Sequence, residues 1–204
     1  MNSSIEKVIN SRISVNSFQP NQFLEDKVIA SLVDLATKSP TAYNLQNWKF
    51  IAVRSEEAKR RLKSVAYGQE KIMTASVNFI ICGMTEAHKQ LRSALQPSLE
   101  ANIMGQEIID DWVAQIASHE GNKTIQRDEA IRSASLAAMS LMLAAQGMGL
   151  GSCAIGGFDA TLMAHAFELT SIEIPVIIVA VGYSKNNNWP QKPRKPLSQV
   201  MTII

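Results

Sequence analysis

The feature that most constrains this 204-residue chain is an uncharged run over residues 133–158. A stretch that long without a charge reaches the length of a membrane span. Its content argues otherwise. It holds Ser133, Ser135, Ser140, Gln146 and Ser152, with glycines at 147, 149, 151, 156 and 157. A spanning helix needs continuous apolar sequence, and glycines this dense break the second half of the run. We read it as a buried helix, a glycine turn and a buried strand. A helix apolar all round is expected to be covered on every side. Charged residues are 19% of the chain, below the usual figure of about 25%. Part of the surface is therefore expected to be covered. Apolar residues at 46% exclude disorder, and a net charge of +2 with both signs interspersed argues against a nucleic-acid partner.

The length fits one domain over residues 1–204, burying roughly 70% of the surface of the unfolded chain. Cys82 and Cys153 lie in apolar runs without metal-ligand spacing. They read as small core residues of a protein in a reducing, cytoplasmic compartment. Residues 1–10 have a mildly polar helical pattern, unlike a signal peptide. Val28, Ile29, Leu32, Leu35 and Ala36 predict a helix over 24–38, ended by Ser39-Pro40. Strands are predicted over 48–54, 77–84, 151–155 and 174–183, and Ser55 is a predicted helix cap. Helices are predicted over 85–96, 98–119, 124–146, with Gly147 as the cap glycine, and from Asp159 to about 169. Four short strands among long helices, without strict alternation, favour an α+β fold. The tail, 184–204, is polar with Pro190, Pro193 and Pro196, and ends apolar in Ile203-Ile204. It is expected to reach across a subunit boundary.

Most catalytic constellations are missing. His88, His119 and His165 have no metal-ligand neighbours and read as surface residues. The glycines after residue 146 follow a helix, where a dinucleotide fingerprint precedes one. Four segments are left over by packing. Arg12-Ile13-Ser14 places a cation and a hydroxyl on one side of an extended chain, suited to phosphate oxygens. Residues 40–46 form a polar loop whose amides and hydroxyls suit the edge of a planar heterocycle. Residues 153–158 run from an apolar strand into Gly156-Gly157, where backbone N–H groups can approach a ligand. Lys192-Pro193-Arg194 holds two cations in rigid extended chain.

In order along the chain, these segments resemble the nitroreductase family of flavin enzymes. The family pattern R-x-S-x-(R/K)-x-F reads here Arg12, Ser14, Asn16, Phe18. A second pattern is matched by Ala36, Ser39, Pro40, Thr41, Asn44, Gln46 and Trp48. Gly68-Gln69-Glu70-Lys71 is similar to the family's turn that opens on N-Q and carries a Lys or Gln shortly after. Residues 139–158, ending in Cys153-Ala154-Ile155-Gly156-Gly157-Phe158, and the closing Lys192, Arg194, Pro196 and Leu197 complete the likeness.

The resemblance implies a nitroreductase-like α+β fold: a mainly antiparallel or mixed sheet flanked by helices, in an intertwined homodimer that exchanges its C-terminal arm. It implies FMN bound at the dimer interface, with NADH or NADPH as the reducing substrate. Arg12, Ser14, Lys192 and Arg194 would hold the phosphate and ribityl chain, with Ile13 and Asn16 beside them among the cofactor-binding residues. Pro40, Thr41, Asn44 and Gln46 would come from the other subunit. Gln69 and Lys71 would lie along the pyrimidine edge, with Lys71 near N1 and O2. The Gly156 N–H would donate to flavin N5, with Ala154, Ile155 and Gly157 lining that face. No protein nucleophile and no metal are needed, since the cofactor carries the hydride chemistry. The implied activity is ping-pong transfer of two electrons from NAD(P)H to a small nitroaromatic or quinone-type acceptor. The alternative is a non-catalytic flavin-binding dimer acting as sensor or carrier, suggested by two departures: Asn16 where the family often has a cation, and Gly68 for asparagine. Trp112 and Ile116 are expected to face the acceptor channel.

Overall fold

The uncharged run forms the spine of the molecule. The computed structural model describes residues 5–204; the start of the expected N-terminal helix, residues 1–4, lies outside them. Helix α7, Lys123–Gly147, begins where Asn122 Oδ1 accepts the Ile125 N–H at 3.1 Å, as an N-cap side chain does. Its small residues Ala134, Ala137, Ala138 and Ala145, with Leu141, are fully or almost fully buried. They let the helix lie close on a four-stranded antiparallel sheet of order β1-β2-β4-β3. The strands are β1 Trp48–Val53, β2 Val77–Met84, β3 Gly151–Ile155 and β4 Glu173–Gly182.

Alternation along the central strands sorts their side chains between two helical layers. Val77, Phe79 and Ile81 of β2, with Val179 and Val181 of β4, pack under α7 and α2, Asp26–Ala36. Ile80, Cys82, Ile178 and Ala180 face the other way, onto α3, Glu56–Val65, α4, Lys71–Thr74, and α8, Ala160–Ala166. Each fully buried Ile or Phe contributes roughly 1.5–3 kcal/mol. A third cluster, Leu45, Leu91, Leu95, Ile109 and Ile116, joins α5, Leu91–Glu100, to α6, Gln106–Ile116. Helix α1, Ile5–Ser11, rests against α7. No helix among the described residues is long and apolar enough to cross a membrane. Cys82 and Cys153 are buried and unpaired, and Ser55 caps α3 as predicted.

Several expectations need correction. Helix α7 is not covered on every side, because Leu136 and Met139 on its outer face stay exposed within one chain. The cap glycine is Gly149, at φ +77°, not Gly147, which is still helical. The Leu150 N–H reaches back to Ala145 O at 2.8 Å, the closing bond of a left-handed helix cap. The expected break near Pro97 falls instead at 101–105. There Asn102 takes φ +55° and the Ile103 N–H closes on Ser98 O, leaving Pro97 inside α5. Helix α8 stops at Ala166, short of 169, by the same device at Glu168, φ +52°. His88 is not a surface residue. It is buried, and its Nε2 lies 2.8 Å from Glu120 Oε2, which holds that carboxyl below its ordinary pKa.

The closest approach of helix to sheet is at Gly83, where an added Cβ would come within 2.3 Å of Ala130 O. Gly83→Ala is expected to cost about 1–3 kcal/mol or more in chemical denaturation. Gly147→Ala, at an open helical position, is expected to stabilise by up to about 1 kcal/mol.

Candidate active site

Strand β3 is an edge strand, hydrogen-bonded to β4 on one side only. Its other edge is taken by the segment after α1. Ser14 pairs with Ser152 in a parallel bridge, and the Val15 N–H donates to Ser152 O at 2.9 Å. The buried side chains of Val15 and Phe18 pin the segment on either side of Asn16. The approach requires a glycine at 151, since a Cβ there would meet Val15 Cγ2 at 2.7 Å. Arg12, Ser14 and Asn16 are thereby strung along the rim of β3.

The chain leaving β4 returns to the same segment. The Gln19 N–H donates to Tyr183 O at 2.8 Å and the Lys185 N–H to Ser17 O at 3.0 Å. Gln191 Nε2 then donates to Arg12 O at 3.2 Å. These bonds carry Lys192 and Arg194 to Arg12. With Ser14, Asn16 and Trp189 they line a cavity of about 100 Å³. Among the described residues, no carboxylate lies within ion-pair distance of Arg12, Lys192 or Arg194. Three cations without counter-charges around a small cavity are suited to a phosphate. The volume is below the roughly 300–1,000 Å³ of whole-ligand pockets, so it suits one end of a larger ligand.

Beside this cavity, Lys71 at the start of α4 donates to Asn16 Oδ1 at 2.7 Å and lies 3.7 Å from Cys153 Sγ. Burial pushes the Cys153 thiol above its ordinary pKa, while Lys71 and Arg12 pull it back down. Gln69 donates from Nε2 to Gly157 O at 2.9 Å and to Ala66 O at 3.1 Å. Its amide nitrogen thus ties down the turn after β3. Gly156 sits in that turn exposed, with no atom within 4 Å of where a Cβ would stand. Ala154 is exposed and Ile155 buried, so of the two only Ala154 presents a side chain to this surface.

Arg12, Ile13, Ser14, Asn16, Lys192 and Arg194 line one cavity, and Lys71 and Gln69 join them to the β3 turn. Pro40, Thr41, Asn44 and Gln46 are not part of this group within one chain. Their loop leads into β1, at the opposite sheet edge, with β2 and β4 between. Thr41 Oγ1 accepts the Gln46 N–H at 3.0 Å, and Tyr43, Asn44 and Gln46 all take positive φ, between +49° and +54°. Such a run of left-handed non-glycine residues stores strain of the kind found at ligand clamps. Trp112 meets Tyr43 edge-on at 5.6 Å, whereas Ile116 is buried in the α5–α6 core and faces no channel. Sequence reasoning missed Asn188 and Gln191, which fasten the tail. Three consecutive asparagines before Trp189-Pro190 mark a turn, but not which of them reaches back 171 residues to Ser17.

Known proteins share this sequence pattern and this fold. The model of the Nitroreductase family matches residues 9–183, and the chain belongs to that family. YodC of Bacillus subtilis, provisionally named an NAD(P)H nitroreductase, is 34% identical over 197 residues, 97% of each chain. A solved structure from Staphylococcus epidermidis, described as an NAD(P)H:FMN oxidoreductase, is 25% identical with a TM-score of 0.93, covering 100% of this chain and 97% of its own. A nitroreductase from Exiguobacterium sibiricum, solved in complex with FMN, shares the fold at a TM-score of 0.92 and 24% identity, covering 100% and 99%.

The Lys71–Cys153 contact can be tested in solution. Alkylation of Cys153 by iodoacetamide, followed by mass spectrometry, is expected to rise only above the ordinary thiol range of pH. Lys71→Met removes a cation that lowers this pKa, so the pH at which alkylation sets in is expected to move further up.

Proposed function

We propose that the chain is an FMN-dependent NAD(P)H oxidoreductase that works as a homodimer. It passes two electrons to a nitroaromatic or quinone-type acceptor in alternate half-reactions. The observation that carries this reading is the convergence of Arg12, Lys192 and Arg194 on one cavity without counter-charges, next to an open glycine turn. The residues present fit the cofactor. The unpaired cations and Ser14 would hold its phosphate, and the space at Gly156 leaves room for a flat ring against the backbone.

Bound FMN supplies the redox chemistry, taking a hydride equivalent from the nicotinamide and giving two electrons to the acceptor. The chain binds and orients. Lys71, held by Asn16, would set a cation where the reduced cofactor gathers negative charge. Gln69 fixes the Gly156–Gly157 turn so that its backbone N–H groups need no reorganisation. The loop 40–46, remote from the site in its own chain, would be delivered by the second subunit. The exposed Leu136 and Met139 of α7 and Ile203-Ile204 of the tail would be covered in the same contact. Two unpaired thiols, Cys82 and Cys153, fit a reducing cytoplasm.

The purified protein is expected to be yellow, to bleach when titrated anaerobically with NADH or NADPH, and to recover its colour with an acceptor. A colourless protein that gains no activity with added FMN contradicts the proposal, and a flavin that neither nicotinamide bleaches favours the non-catalytic sensor or carrier. Arg12→Ala with Arg194→Ala is expected to weaken FMN binding by about 100-fold, from the loss of two charge-assisted contacts.

A further inference from the structure

The cations of the tail sit on a segment with little of its own to hold it in place. Residues 190–204 are exposed throughout, and Lys192 and Arg194 have no partner on a neighbouring helix or strand. Besides the Gln191–Arg12 bond, one side chain just before it fastens this segment. Asn188 Oδ1 accepts the N–H groups of Asn16, at 2.8 Å, and Ser17, at 2.9 Å. Its Nδ2 donates to Ser17 O at 2.8 Å, to Lys185 O at 2.8 Å and to Ser184 Oγ at 3.0 Å. The amide orientation is fixed by chemistry: N–H donors converge on one end and carbonyls on the other. The same amide therefore grips both sides of the return, the 16–17 backbone on one and the Ser184 hydroxyl and Lys185 carbonyl on the other. It does not line the cavity, and its neighbours Trp189, Pro190, Gln191 and Lys192 do.

We propose that Asn188 is the positioning residue of the anion site, setting the tail so that Lys192 and Arg194 stand opposite Arg12 before any ligand arrives. The proposal rests on the FMN reading and deepens it. The physical reason is entropic. Without the clamp, the tail is held near Arg12 by the Gln191–Arg12 bond at 3.2 Å and by the Lys185–Ser17 backbone bond, three residues upstream of Asn188. Ordering it would then draw on the binding free energy of the phosphate. Loss of the clamp should weaken whatever needs Lys192 and Arg194 more than the rest of the site, where buried Val15 and Phe18 still pin the segment that carries Asn16. Riboflavin offers the same ring and ribityl chain without the phosphate, so the pair FMN and riboflavin separates this role from a general loss of structure.

The test is equilibrium binding of FMN and of riboflavin to apoprotein, by quenching of flavin fluorescence, in wild type and Asn188→Ala. FMN affinity is expected to fall by about tenfold or more, with riboflavin affinity within about twofold of wild type. The slope of log affinity for FMN against log salt is expected to become shallower, because fewer fixed cations meet the phosphate. Gln191→Ala, which removes the second tie, is expected to give a smaller loss of the same selectivity. It carries the test if Asn188→Ala does not fold. Equal weakening of both flavins, or wild-type affinity for both in a folded variant, overturns the proposal alone. A wild-type protein that binds neither flavin overturns the FMN reading, and the proposal with it.

Discussion

The pairing of residues 14–15 with the free edge of β3 is the interaction on which the site depends. An edge strand exposes unpaired N–H and C=O groups, and here one parallel bridge and the Val15–Ser152 hydrogen bond occupy them. That pairing strings Arg12, Ser14 and Asn16 along the rim. It also gives the chain leaving β4 a backbone to return to, which brings in Lys192 and Arg194. Gly151 makes the approach possible, and Val15 and Phe18 anchor it in the core below. The proposed anion site is thus the outer lip of the hydrophobic core that holds Val15 and Phe18.

A second constraint comes from the lack of charge over residues 133–158. Small side chains let α7 pass over β2 with its backbone against Gly83. The same lack of charge leaves Leu136 and Met139 uncovered within one chain. The polar loop 40–46 is likewise built, strained and far from the cations of its own chain. In the proposed reading, a second copy covers the exposed face of α7 and brings its own loop 40–46 to the cations. On that proposal, the low charge content of the sequence would correspond to a surface covered by the second copy.

Much of this was legible in the residues. Near-continuous apolar runs located β2 and β4, because strands covered on both faces carry few polar residues, and Ser55 marked the start of α3. The segments proposed to face the ligand stood out as polar or glycine-rich stretches that packing did not explain. What stayed hidden was decided by tertiary contact. The buried ring of His88 meets Glu120 from the turn before α7, a contact between distant segments, and the helix through Pro97 ends only at the left-handed Asn102. Gly149 rather than Gly147 closes α7, a shift of two residues that spacing does not resolve. Asn188 is one of three adjacent asparagines, and only the return of the chain to Ser17 singles it out. Gln69 was expected at a ligand edge, but its amide nitrogen is engaged by carbonyls of Ala66 and Gly157.

The most direct measurement is a crystal structure of the protein grown with FMN. The phosphate is expected between Arg12, Lys192 and Arg194, the ring against Gly156 beside Lys71, and residues 40–46 of a second copy on its far side. A phosphate bound elsewhere, or a flavin enclosed by one chain alone, would contradict this assignment of the site.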